Sequence, residues 1–241
     1  MNFGYLTINE AAKLLGVSKD TLRRWDKSGK LKAVRQQEDG YRYYPKETIE
    51  LYLMDISAIA KKWVTDPPVL PEAEYYCSDS LVFKTRLSRL ENELSKIDEV
   101  KNIFPLVTAI VGEIGNNSYD HNLGNWPDIR GIFFAYDLNK QQIVLADRGQ
   151  GLLKTLRKVR PGLRDDKEAL EVAFTEVISS RMPEARGNGL KFVRQVISDN
   201  NLFSIEYYSG DAKLIIKQGS EKLNIENSDV NYPGCISIIK Y

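Results

Sequence analysis

Three prolines within five positions, Pro67, Pro68 and Pro71, constrain this 241-residue chain more than any other feature. Proline fixes φ and removes a backbone donor, so neither a helix nor a strand ladder runs through such a cluster. The chain is therefore predicted to fold as two modules joined by a proline-rich linker over 61–80. Charge is divided in the same sense. Residues 1–46 hold ten Lys or Arg against five Asp or Glu, a balance of +5, while the whole chain carries +1, which leaves −4 for the remainder. A basic module attached to a mildly acidic one predicts a polyanion partner for the first alone. With 42% hydrophobic residues, a packed core is expected without help from metals or disulfides. Only Cys77 and Cys235 are present, far apart, and the opening MNFGYLTINE has no basic stretch followed by an apolar one. These features predict a reduced, cytoplasmic protein with no membrane partner.

The first module punctuates itself in TINEAAKLLGVSKDTLRRWDKSGKL. Thr7 with Glu10 three residues on is a capping-box pattern, and Gly16 stops the short helix that follows. Ser18 caps a second helix with Leu22 and Trp25 facing inward and Lys19, Arg23, Arg24 and Lys27 facing outward. Two short helices across a glycine-containing turn, the second basic, make a helix-turn-helix. LKAVRQQEDGYRYYP then predicts a β-hairpin, and a further helix is expected from Pro45. This order, over about residues 4–60, resembles the winged-helix DNA-binding domain of the MerR and excisionase families. The resemblance implies double-stranded DNA as partner and a place at the nucleoid. Lys19, Arg23, Arg24 and Lys27 would then serve the groove and its flanks, and Arg35, Arg42 and Tyr43 the backbone beside the wing. A peptide-binding or structural winged helix is the competing reading.

Beyond the linker, Leu87, Leu90, Leu94 and Ile97 form a narrow seam on a helix over 81–99. Such a seam packs within its own domain or pairs with a second copy, and the MerR resemblance favours a homodimer. From Phe104, residues Val107, Ile110, Val111 and Ile114 mark another buried helical stripe. Glu113, Asn116, Asn117 and Asp120 lie on the adjoining stripe. At 1.5 Å rise per residue Glu113 and Asn117 are roughly 6 Å apart and can reach one small ligand. A carboxylate beside an amide oxygen suits Mg²⁺, which prefers oxygen donors and keeps several waters.

Downstream, QQIVLADRGQG is an apolar strand running into Asp147, Gly149 and Gly151, and EARGNGLKFVRQVI places Gly187 and Gly189 before a helix. Glycines at a helix start let backbone N–H groups approach a phosphate. Glu-x-x-x-Asn on a helix, strand-DxGxG, then GxGL opening a helix, over about residues 100–241, resembles the ATP-binding domain of the GHKL superfamily of gyrase B, histidine kinases and anti-sigma serine kinases. The resemblance implies ATP and Mg²⁺ as cofactors. Glu113 would polarise water or a hydroxyl at the γ-phosphate, Asn117 would hold Mg²⁺, and Asp147 would accept the adenine amino group. Gly149 and Gly151 would form the turn beside the base, and Gly187, Gly189 and Leu190 the phosphate loop. Where many kinases carry a basic residue after the asparagine, this chain has Asp120, which departs from the pattern.

The expected fold class is thus α+β: an N-terminal winged helix-turn-helix over 1–60, the linker, a connecting or dimerisation helix, and a C-terminal α/β sandwich over 100–241. That sandwich would be a mostly antiparallel sheet with helices on one face. Its basic lid segment (Lys154, Arg157, Lys158, Arg160, Arg164) reads first as solvated charge. The sole histidine, His121, sits inside the helix of the ATP motif, so an autophosphorylating histidine kinase, which needs a separate acceptor histidine, is not expected. Three functions stay open: a DNA-binding regulator with a nucleotide switch, an anti-sigma-like serine/threonine kinase with its protein substrate, and an ATPase.

Overall fold

A computed structural model describes the whole chain except residues 1–3, 29–30, 36–39, 47–48, 50–55, 139, 177–188 and 221. It divides into two compact units, Met1–Asp55 and Ile56–Tyr241.

In the first unit, strand β1 (Tyr5–Thr7) leads into helix α1 (Ile8–Leu15). The capping box is present, with Thr7 accepting from the Glu10 N–H and Glu10 from the Thr7 N–H. Gly16 ends α1 in the left-handed region at φ 65°, a conformation that costs glycine least. Ser18 accepts from the Thr21 N–H at 3.1 Å and so caps helix α2 (Lys19–Ser28). Strand β2 (Tyr43–Pro45) pairs with β1, and an antiparallel bridge between Val34 and Tyr43 joins the two arms of the expected hairpin. Ala11, Ala12, Leu22, Leu31, Tyr44 and Ile49 form the core. The hairpin tip at Glu38 and Asp39, and most of the helix expected after Pro45, lie outside the described residues.

The second unit begins at Ile56, eleven residues before Pro67, rather than after the prolines. Helix α3 (Ile56–Thr65) puts Ala60, Trp63 and Val64 against one face of a sheet, so this segment belongs to the C-terminal unit and not to the first module or a free linker. Only 66–75 lack helix and strand before β3 (Tyr76–Cys77) joins the sheet edge. The sheet runs β3-β4-β5-β7-β6 with every neighbour antiparallel; β4 is Ile132–Asp137, β5 Gln142–Asp147, β6 Ser204–Ile216 and β7 Asn224–Lys240. SIEYYS and KLII form the one strand β6, in which the register shift around Gly210 bends the strand without ending it.

The other face carries the helical layer: α4 (Ser80–Leu94), α5 (Phe104–Asn122), α6 (Gly151–Leu156), α7 (Asp166–Thr175) and α8 (Gly189–Asp199). The leucine seam is spent here. Leu90 and Leu94 are fully buried and Leu87 and Ile97 pack on the same core, so among the two outcomes the spacing allowed, the seam closes within its own unit. α4 sits so close to α5 that Leu87 lies 3.4 Å from where a Cβ on Gly112 would be, and the Phe83 ring fills the space beside Gly115. Cys77 and Cys235 are free thiols. No helix among the described residues is long and apolar enough to cross a membrane.

Candidate nucleotide and nucleic-acid sites

The buried stripe of α5 does not stop at Ile114. It continues one turn at a time through Ser118 and Asn122, both buried, and these polar side chains meet the end of β5. Ser118 donates its hydroxyl to Asp147 at 2.8 Å, and Asn122 donates its amide to the same carboxylate at 3.4 Å. The Gly149 N–H adds a third bond at 2.9 Å, and the Cys235 N–H a fourth. Asn122 also accepts from the Gln150 N–H at 2.9 Å, which ties the turn after β5 to α5.

Asp147 is only 2% exposed. Burial pushes its pKa up to about 6, against the pull of those four donors. Ser118 and Asn122 were not among the expected site residues, although polar groups on an apolar stripe are the signal that would have found them.

The two glycines after Asp147 differ in use. Gly151, at φ 71°, supplies the left-handed turn that starts α6, whereas Gly149 leaves room for the Asn122 side chain, with which any Cβ would collide. Asp147, Ser118, Asn122, Asn117, Gly151, Leu152 and Leu190 line a common cavity whose free volume is about 30 Å³. That holds one or two waters, so a purine enters only when side chains at its mouth give way. Cys235 borders the cavity; burial, and then the Asp147 charge, push its thiol pKa well up, which disfavours the thiolate at neutral pH.

Beside the cavity, Gly189 opens α8 against α5. A Cβ there would sit 2.5 Å from Glu113 Oε2 and 2.9 Å from Asn117 Nδ2. The structure thereby gathers Glu113, Asn117 and a helix N-terminus in one place, with Leu190 next in line. Gly187 lies outside the described residues. Asp120 is exposed, one turn further along α5.

No group of three or more His, Cys, Asp or Glu placed to hold a metal exists among the described residues. The donors that do converge, one carboxylate and one amide, fit Mg²⁺ in the manner it usually adopts, with few protein ligands. The lid arginines are engaged locally: Arg157 donates to the Leu163 and Arg164 carbonyls, Arg160 pairs with Glu176 and Arg164 with Glu168.

In the first unit, Arg23, Arg24, Lys27, Arg35 and Arg42 surround one open depression. Its floor is Asp26, which sequence reading counted only as an acid. Asp26 accepts from the Ala33 N–H at 3.0 Å, from Arg42 at 2.8 Å and from Arg35. Burial alone would raise its pKa, but the Ala33 N–H and the two guanidiniums together hold it below the ordinary value. One carboxylate thus joins α2 to both arms of the hairpin and fixes two arginines. Lys19, at the start of α2, and Tyr43, in the bridge to Val34, stand outside this depression.

Residues 7–44 match the sequence profile of the "MerR family regulatory protein". The N-terminal unit carries a MerR-type helix-turn-helix. A 44-residue stretch, 18% of the chain, is 52% identical to the Type II methyltransferase M.Eco47II of Escherichia coli, of which it covers 11%. Among solved structures, the 43K ATPase domain of Thermus thermophilus gyrase B in complex with an aminocoumarin shares 14% identity over 61% of this chain and 38% of that one, with a TM-score of 0.34. The topoisomerase IV ATP-binding domain of Francisella tularensis in complex with a small-molecule inhibitor shares 18% over 59% and 39%, with a TM-score of 0.33. The chain therefore spans about a tenth of the curated relative and under half of either structure.

Proposed function

We propose that this protein is a DNA-binding regulator whose C-terminal unit binds ATP with Mg²⁺ and acts as a nucleotide-dependent switch or ATPase. The observation that carries the nucleotide half is Asp147, a carboxylate buried at a strand end and facing a cavity whose other wall is α5. Such a group accepts an exocyclic amino donor and discriminates strongly against ligands lacking one.

Glu113, Asn117 and the start of α8 lie where a triphosphate and its Mg²⁺ would be held. The metal's part would be to neutralise phosphate charge. This chain's own part is to place Glu113 beside it as the group that orients a water or hydroxyl. The MerR match supports the DNA half, as does the ring of five cations in the first unit. The 44-residue stretch similar to a Type II methyltransferase is in keeping with DNA as the partner. The kinase reading has no observation of its own among the described residues.

The test is incubation of the full chain with Mg²⁺ and γ-labelled ATP, following label in nucleotide, free phosphate and protein, alongside calorimetry with wild type and Asp147→Ala. Binding that the substitution abolishes supports the reading. Equal binding by both proteins, or none by wild type, removes it. Free phosphate identifies an ATPase, and label on protein a kinase.

A further inference from the structure

Arg148 stands between Asp147 and Gly149, yet its side chain serves a different part of the molecule. Successive residues of an extended strand face opposite sides of a sheet. Asp147 enters the α5 side, and Arg148 reaches the α3 side. Its Nη1 donates to the carbonyl oxygens of Trp63, of Val64 at 3.0 Å and of Asp66 at 3.0 Å. These belong to the end of α3, where carbonyls lack intrahelical partners. Nε and Nη2 meanwhile hold Asp128 at 3.0 and 2.6 Å, and the guanidinium lies 5.9 Å from the centre of the Trp63 ring. The side chain is only 9% exposed. A cation closing a helix C-terminus this way favours the helix dipole and satisfies three acceptors with one group.

The position of α3 in the chain gives this contact its meaning. Ile56, its first residue, is also the first residue of the C-terminal unit, so the chain leaving the DNA-binding unit runs straight into α3. On the opposite side the turn after β5 has little freedom. Asn122 fills the space at Gly149, and the Asp147 carbonyl is pressed against Gly234. The turn is thus packed toward α5 and toward β7, and its contact with α3 is the Arg148 side chain.

We propose that Arg148 is the positioning residue that couples occupancy of the Asp147 cavity to the C-terminal turn of α3, and hence to the helix that receives the DNA-binding unit's chain. The proposal rests on the nucleotide-binding reading above. Coupling of this kind is reciprocal, so a perturbed α3 changes nucleotide affinity by the same factor by which nucleotide changes α3.

Hydrogen–deuterium exchange on the full chain, with and without saturating Mg²⁺ and ATP, tests it, with nucleotide binding followed in parallel by calorimetry. In wild type, ATP should slow exchange both at 147–151 and at 62–66. Arg148→Gln, measured at saturating nucleotide, should exchange at 62–66 about tenfold faster than wild type and no longer respond to ATP there. Asp128→Asn keeps the three carbonyl contacts and should give a smaller acceleration at the same amides; it also decides the matter if Arg148→Gln does not fold. If ATP binds and protects 147–151 in wild type while 62–66 exchange unchanged, this proposal fails alone. If wild type binds no ATP, both this proposal and the reading beneath it fall.

Discussion

Ser118 Oγ lies 2.8 Å from Asp147 Oδ2, a hydrogen bond that joins helix α5 to the end of a central strand with both partners buried. The bond is one of four aimed at a carboxylate whose pKa still sits at about 6, so desolvation outweighs all of them. The consequence is measurable without any ligand. Because the folded pKa is above the ordinary 3.8, the folded chain holds a proton that the unfolded chain releases between those values. The stabilisation this gives is complete below 3.8 and is lost as pH rises through about 6. A rise of that size is worth about 3 kcal/mol at most. Urea unfolding of wild type and Asp147→Asn from pH 4.5 to 7.5 should therefore show wild type losing ground to the variant as pH rises. A difference that stays flat with pH would mean that Asp147 titrates normally.

Gly189 makes the second prediction. A methyl group at this position would press on Glu113 and Asn117 together, so Gly189→Ala moves both or shifts the start of α8. Nucleotide affinity should fall about tenfold or more, as expected when a positioned polar cluster is displaced. Gly162→Ala is the matched control, since nothing lies within 4 Å of its added carbon and its φ is ordinary. Calorimetry with Mg²⁺ and ATP on both variants decides it; equal affinities would place the phosphates elsewhere.

Asp26 separates charge from position. Counting charge alone, removing an acid from a basic depression tightens DNA binding. If its work is to hold Arg35 and Arg42, removal weakens binding. Asp26→Ala is expected to lower affinity for a mixed-sequence 20-base-pair duplex by about tenfold, and to flatten the salt dependence as one or two phosphate contacts are lost. Fluorescence anisotropy at two salt concentrations, with folding checked by circular dichroism, reads the sign directly. Tighter binding would mean that the negative charge of Asp26, and not its hold on Arg35 and Arg42, governs the contact with DNA.

What the sequence made legible was local. Glu113 and Asn117 share a stripe because four residues make about one turn, and Asp147 with its glycines follows an unmistakable apolar strand, so these residues could be found by spacing. Gly16, Ser18 and the capping box at Thr7 and Glu10 were likewise read from neighbours. The contacts that complete the site join residues far apart in the chain. Ser118 and Asn122 reach Asp147 across 29 and 25 positions, and Arg148 reaches the end of α3 across more than 80. Periodicity says that a face is buried but not what covers it. Hence Ile56–Thr65, apolar and lying ahead of the prolines, read as the end of the first module and the start of the linker, when its Trp63 and Val64 close the far face of the second unit's sheet.

The same limit applied to the leucine seam, and the structure turns it into the final prediction. Leu90 has no exposed surface and packs in the main core with Phe83, Leu94 and Ile110. Its truncation is therefore a core lesion rather than an interface lesion. Leu90→Ala should destabilise the C-terminal unit by about 2–5 kcal/mol, the cost of lost burial plus the cavity left behind. It should leave the oligomeric state unchanged at concentrations where the chain remains folded. A seam used for pairing would behave in the opposite way, dissociating a dimer while sparing the fold of each copy. Denaturant unfolding together with sedimentation equilibrium distinguishes the two. A wild-type dimer converted by this substitution into a stable, folded monomer would show that α4 pairs with a second copy after all.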